Sequence, residues 1–148
     1  MRIRKARIAD LGSLKALFTE LLDTVENKAD FEIDTAVSNC RYLLNDPENY
    51  LYVVEEDKTL KGFISFTVRK TIMHRGPSGL IDELVVSRSA WGSGIGRQLV
   101  DVAIERCRRI GCSEVEVSTE KSNINARRFY EACGFGEDAV LLEFELEK

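Results

Sequence analysis

The chain is short of the residues on which most metal, redox and disulfide chemistry depends. It has one histidine, His74, and four cysteines, Cys40, Cys107, Cys112 and Cys133. No two cysteines are spaced as CxxC, and His74 is distant from all of them in sequence. A Cys/His zinc site has nothing to build on, and no metal is expected. Four reduced, mostly buried thiols in a cytoplasmic protein are expected instead. Two prolines and ten glycines leave no Pro- or Gly-rich linker, and there is no repeat. No window approaches the roughly 18 uninterrupted apolar residues of a membrane span. The N-terminus, MRIRKARIAD, is basic but lacks the apolar stretch of a secretory signal. Positive charge is not in excess either: 21 Lys and Arg against 25 Asp and Glu give a formal net charge of −4. That excludes a global basic field of the kind that holds nucleic acid.

What is present suits one soluble domain spanning residues 1–148. The length of 148 residues falls within the ~100–200 of an ordinary domain. Apolar residues make up 44% and charged ones 31%, enough to bury a core beneath a charged surface. Alternation from Arg2 to Ile8 predicts a first strand. Asp10 reads as the N-cap of a helix carrying Leu11, Leu14, Leu17, Phe18, Leu21, Leu22 and Val25 on one stripe. A second helix is expected from near Asp34, with Val37, Cys40, Leu43 and Leu44 inward, stopping before Pro47. Strands follow at Tyr50 to Glu55, Leu60 to Val68 and Leu80 to Val86. A long helix then buries Ile95, Leu99, Val102, Ala103, Cys107 and Ile110 and stops at Gly111. Glu114 to Ser118 reads as a strand, Asn123 to Cys133 as a helix, and Leu142, Phe144 and Leu146 alternate in a last strand. The order β-α-α-β-β-β-α-β-α-β implies an α/β domain with a mixed sheet.

The strongest local signal runs from Leu84-Val85-Val86 through Ser87-Arg88-Ser89-Ala90 to Trp91-Gly92-Ser93-Gly94-Ile95-Gly96-Arg97. An apolar strand passes into three alternate glycines that open onto an amphipathic helix. Such a turn can cradle an anion, because its glycines admit a ligand close to backbone N–H groups at the positive helix end. It can equally be a tight connection with no ligand. A Walker-type loop would need Lys then Ser/Thr where Arg97 and Gln98 follow Gly96. A dinucleotide loop would need GxGxxG after the first strand of a βαβ unit, not GxGxG late in the chain.

At these residues the chain resembles the GNAT N-acetyltransferase superfamily, whose acetyl-CoA motif is written (Arg/Gln)-x-x-Gly-x-(Gly/Ala) after a strand ending in Val. A second family motif matches Asn123-Ile124-Asn125-Ala126, Tyr130 and Gly134-Phe135. The resemblance covers nearly the whole chain and implies an α/β GNAT-like fold. That fold has a mixed, mostly antiparallel central sheet of six or seven strands, about four flanking helices and a splayed strand pair at the cofactor site. It implies acetyl-CoA as co-substrate, its arm pairing with Leu84, Val85 and Val86. The diphosphate would lie over Gly92, Ser93, Gly94, Ile95, Gly96 and Arg97, with Trp91 at the head of the motif among the cofactor-binding residues, and Asn123 would contact the arm. Trp91 departs from the pattern, standing where the family most often has Arg or Gln. Loss of that side chain predicts weaker or differently balanced cofactor binding, with Arg88 or Arg97 placed to compensate.

The implied activity is direct transfer of an acetyl group to a primary amine of a small molecule or peptide. By the resemblance, Tyr130 is the general acid for the departing sulfur; its other reading is an aromatic on the inner helix face. Asp82 and Glu83 are the only carboxylates in their strand, and the resemblance makes an acid there the base. Adjacent strand residues point to opposite faces, so only one is expected to face the acceptor, with Glu83 preferred for its reach. The competing reading pairs one or both with an Arg. His74 reads as a solvated turn residue or a lip of the acceptor pocket, and Cys133 as core. Acceptor choice is assigned by resemblance to Leu22–Asp34, with Asp23, Glu26, Asp30, Glu32 and Asp34. A non-catalytic acyl-CoA sensor is the alternative function. A homodimer is expected by analogy.

Overall fold

The computed structural model describes residues 1–25 and 31–147. Glu26 and Asp30 of the acidic stretch lie outside the described residues. The chain forms two units, Met1–Val117 and Ser118–Lys148. The first contains β1 (Arg2–Lys5), α1 (Leu11–Leu22), α2 (Ile33–Leu43), β2 (Asn49–Glu56), β3 (Thr59–Arg69), β4 (Ser78–Val86), α3 (Ile95–Ile110) and β5 (Glu114–Val117). The sheet has five strands in the order β1-β2-β3-β4-β5, where six or seven are expected. Neighbours are antiparallel except β4 and β5. That parallel pair is joined through α3, as a crossover requires.

The period-two patterns divide the sheet between two helical layers. Leu51, Val53, Phe63 and Val85 pack with Leu11, Leu14, Leu17 and Phe18 of α1 and Cys40 of α2. Phe18 meets Phe63 edge-on at 5.3 Å between ring centres. The alternate residues Ile64 and Phe66 are buried on the opposite face, as are Ile95, Leu99, Val100, Ala103 and Cys107 of α3. Two strand glycines bring α3 close. A Cβ on Gly62 would stand 3.0 Å from both Ile95 and Leu99, and one on Gly79 would stand 2.5 Å from the Cys107 sulfur.

The first strand stops at Lys5 rather than Ile8 because Asp10 draws the chain into a 3-10 turn at Ile8–Asp10. Its carboxylate does not cap α1. It accepts the Arg7 N–H at 2.7 Å and two parallel bonds from the Arg4 guanidinium at 2.8 and 2.9 Å. Arg4 also reaches Glu55 at 3.1 Å, and both Arg4 and Asp10 side chains are only 9% exposed. The Arg4 bonds hold the Asp10 carboxyl below the usual carboxylate range despite its burial. Asp10→Ala leaves the buried Arg4 guanidinium with Glu55 as its one carboxylate partner and is expected to lower the unfolding free energy by about 2 kcal/mol in urea titrations near neutrality. The Asp10 pKa is depressed in the folded state, so its contribution is complete above the unfolded value of ~3.9 and fades as pH falls through the folded one. The difference between parent and variant should therefore shrink in acid.

The second unit holds α4 (Ile124–Ala132), capped by the Asn123 side-chain carbonyl accepting the Ala126 N–H at 3.0 Å. The strand expected at Leu142 to Leu146 does not form: residues 136–147 carry no regular secondary structure. Leu142, Phe144 and Leu146 are each 88% exposed. Alternation with Glu143 and Glu145 gives a segment two unlike sides, but a strand also needs a hydrogen-bonded neighbour, which the pattern does not specify. Arg127 ties this segment back to α4 through Asp138 at 2.8 Å.

Candidate active site

A bulge in β4 sets the arrangement of its two acids. Ser65 of β3 lies opposite Glu83 and Phe66 opposite Ile81, which leaves Asp82 as the extra residue. The Ser65 hydroxyl donates to the Glu83 carboxylate at 2.6 Å and accepts the Glu83 N–H at 3.1 Å. Asp82 takes a hydrogen bond from the Thr67 hydroxyl. Ser65 and Thr67 are two residues apart and so share a face. Ser65 pairs with Leu51 of the α1 and α2 core. Both carboxylates therefore point to the helical face of α1 and α2, and the expectation that only one could do so is corrected. One inserted residue breaks the alternation.

The electrostatics agree with that geometry. Burial raises both carboxyls above their usual range, and Glu83 is raised further by the charge of Asp82, against hydroxyl bonds that act the other way. The buried Cys40 thiol is pushed up to about 11, first by burial and then by Glu83. Among the described residues neither acid is in an Arg ion pair, so the purely structural reading of the pair has no partner to support it. Ser65 and Thr67 were not foreseen as site residues. Hydroxyls alternating along one strand face were their only signal.

The far end of β4 exposes its backbone. Ser87 N–H donates to the Lys61 carbonyl at 2.8 Å while Val86 lies opposite Gly62. In an antiparallel ladder this makes Val86 a non-bonded position, so its peptide groups, and those of Leu84, point away from β3. β5 accompanies β4 only from Ser78↔Glu114 to Ile81↔Val117. Among the described residues no strand runs beside Leu84–Val86 on that open edge. Next comes the glycine turn. Gly92 and Gly94 hold φ of +79° and +85°, a left-handed conformation that other residues reach only with strain. Nothing lies within 4 Å of a Cβ at either. Gly94 is the N-cap of α3 without a side-chain cap, and Gln98 N–H bonds the Gly94 carbonyl at 3.1 Å. The N–H groups of Ile95, Gly96 and Arg97 thus have no intrahelical acceptor. The Ser93 hydroxyl is turned inward onto the Ala90 carbonyl.

Trp91 is 63% exposed, yet its indole N–H donates to the Val86 carbonyl at 2.8 Å. It also walls a cleft of about 180 Å³ with Glu20, Leu21, Thr24 and Leu84–Val86. The cations nearest in sequence are already engaged: Arg88 N–H on Glu20 at 3.0 Å with its guanidinium 3.8 Å from Asp23, and Arg97 3.7 Å from Asp101. A separate hollow of about 360 Å³, beside Tyr50, Tyr52 and Arg106, includes none of the predicted residues. His74 bonds Thr71 at 2.8 Å and stands 3.2 Å from Glu114. It belongs to the turn that precedes Ser78, at the opposite end of β4 from the glycines.

In the second unit, Tyr130 packs edge-on against Phe129 and Phe135 at 5.1 and 5.5 Å. Burial, then the neighbouring Cys133, pushes its phenol up to about 12. Asn123 spends its carbonyl on the α4 cap, leaving its amide NH₂ as the group that can meet a ligand. Among the described residues no cluster of three or more His, Cys, Asp or Glu could hold a metal ion, and no helix is long and apolar enough to cross a membrane.

Comparison with known proteins places this geometry. The model of the acetyltransferase (GNAT) family matches residues 14–135. An aminoalkylphosphonate N-acetyltransferase of Salmonella typhimurium is 32% identical over 135 residues, which is 90% of this chain and 83% of that one. A crystal structure described as a transcriptional regulator from Bacillus halodurans superposes with a TM-score of 0.86 at 26% identity, covering 98% of this chain and 99% of the other. An aminoglycoside N-acetyltransferase solved in complex with CoA shares the fold with a TM-score of 0.83 at 18% identity, over 97% and 93% of the two chains. With its family model spanning most of the sequence and a relative above thirty per cent identity over most of both chains, the chain belongs to the GNAT family of acetyltransferases.

Proposed function

We propose that residues 1–148 act as one acetyl-CoA-dependent N-acetyltransferase, moving an acetyl group directly to a primary amine of a small molecule or peptide. The observation that carries this reading is the β4 bulge, which puts two proton-accepting carboxylates on one face. Along the same strand follow an open peptide edge and an unfilled glycine turn. Acetyl-CoA, when bound, would supply the acetyl group as an activated thioester. The Ile95, Gly96 and Arg97 N–H groups fit its diphosphate, and the outward peptide groups of Leu84 and Val86 fit the amides of its arm. A backbone N–H on this edge would supply the donor for the carbonyl oxygen where charge develops.

Glu83, oriented by Ser65, takes the proton of the incoming ammonium so that the amine attacks as a neutral nucleophile. Tyr130 holds the proton that the departing sulfur needs. An acidic face suits a cationic acceptor, and the relatives named for aminoalkylphosphonates and aminoglycosides support the small-amine class. The non-catalytic sensor is not favoured, since the relative 32% identical over 90% of this chain is named an N-acetyltransferase.

A thiol-release assay with acetyl-CoA against a panel of amines, including aminoalkylphosphonates and aminoglycosides, tests the reading. Release with at least one amine is the expected result. Tight cofactor binding without release from any amine would assign the sensor, and no binding by folded protein would remove the cofactor.

A further inference from the structure

We propose that Trp91 is a placeholder for the cofactor arm: its indole N–H occupies the Val86 carbonyl until an amide of the arm takes that acceptor, and binding turns the indole away. The inference rests on the reading of the Leu84–Val86 edge given above. Val86 presents its carbonyl outward, away from β3, at the point where the open edge meets the turn. An extended ligand pairing along this edge would donate to that oxygen. The oxygen already has a donor, the Trp91 indole at 2.8 Å.

The bond closes the four residues Ser87–Ala90 into a loop back onto the strand, and the ring that makes it is mostly in solvent. Exchange is therefore easy: an exposed hydrogen bond is swapped for an equivalent one, without a buried ring being pulled from a core. Trp91 itself has extended backbone, with φ −61° and ψ 143°, so the side chain can leave without unwinding α3. A protein that must first release an internal donor binds its ligand more weakly by the fraction of time the site is closed. Trp91 thus differs from a cationic residue at this position in kind. It competes with the arm and does not touch the diphosphate.

Trp91 is the only tryptophan in the chain, so emission excited to the red of tyrosine absorption reports this residue alone. The test compares CoA with ADP, which has the diphosphate but no arm, by calorimetry on the parent and on Trp91→Phe and by fluorescence on the parent, with melting curves to establish folding. CoA should shift the parent's emission and ADP should not. Trp91→Phe, which keeps an aromatic ring but no donor, should bind CoA roughly fivefold more tightly, the weight of one net hydrogen bond. Its affinity for ADP should match the parent's. A purely structural role in the turn would instead weaken both ligands together. CoA binding by calorimetry with unmoved emission, or with no gain in Trp91→Phe, overturns the placeholder and leaves the proposed function standing. No CoA binding by folded parent overturns both.

Discussion

Glu83→Gln is expected to lower kcat/KM by about 10²–10⁴-fold and to erase the acidic limb of its pH profile. The glutamine keeps the size of the side chain and can still meet the Ser65 hydroxyl, so a loss of this order reports the missing proton acceptor. The limb should stand above the ordinary glutamate range of ~4.3, because burial and the Asp82 charge both raise the Glu83 carboxyl. Asp82→Asn separates the two acids. Removing its charge takes away one cause of that elevation, so the limb should persist and move to lower pH. The reverse pattern, with the limb lost in Asp82→Asn and kept in Glu83→Gln, would give the base role to Asp82. A limb unchanged in both variants would remove the pair from the chemistry.

Tyr130→Phe should reduce kcat by about 10²-fold or more, with kcat/KM falling in step and calorimetric CoA affinity nearly unchanged. The phenol sits among Phe129 and Phe135, and its pKa is pushed up to about 12. It therefore stays protonated past the ordinary tyrosine value of ~10, and no alkaline limb should come from it in the neutral range. The phenylalanine retains the ring that packs against its neighbours, so melting temperature should scarcely move. Unchanged turnover would return Tyr130 to a packing role.

The residues differ in how openly they declared these places. The extent of the helix from Ile95 to Ile110 was legible, because an apolar stripe ended at a glycine and both periodicity and stop signal are local, although its buried face takes in Val100 and leaves Val102 and Ile110 half-buried. The glycine turn was equally plain. The placement of Asp82 and Glu83 was not, although the clue was present: two consecutive acids in an apolar strand violate a period of two. A bulge is specified by the partner strand as much as by its own sequence, and Ser65 and Thr67 are far off in the chain. Asp10 misled for a related reason. Its residue type suits a helix cap, but Arg4 offered it a stronger, bidentate donor. Leu142, Phe144 and Leu146 misled because a two-sided pattern is necessary for a strand and does not supply its neighbour. The Trp91 bond to Val86 needed backbone geometry that no pattern encodes.

The raised carboxyls on β4 have a cost to the folded chain. A group that holds its proton more tightly folded than unfolded stabilises the native state in acid and progressively loses that contribution as the solution becomes neutral. The Arg4–Asp10 clamp behaves in the opposite sense. Proton uptake on acidification therefore loosens one end of the sheet while relieving electrostatic stress at the other. Where this molecule resists unfolding best is set by the balance of these two loci, and the pH at which its acids are most useful lies on the side where they support the fold least.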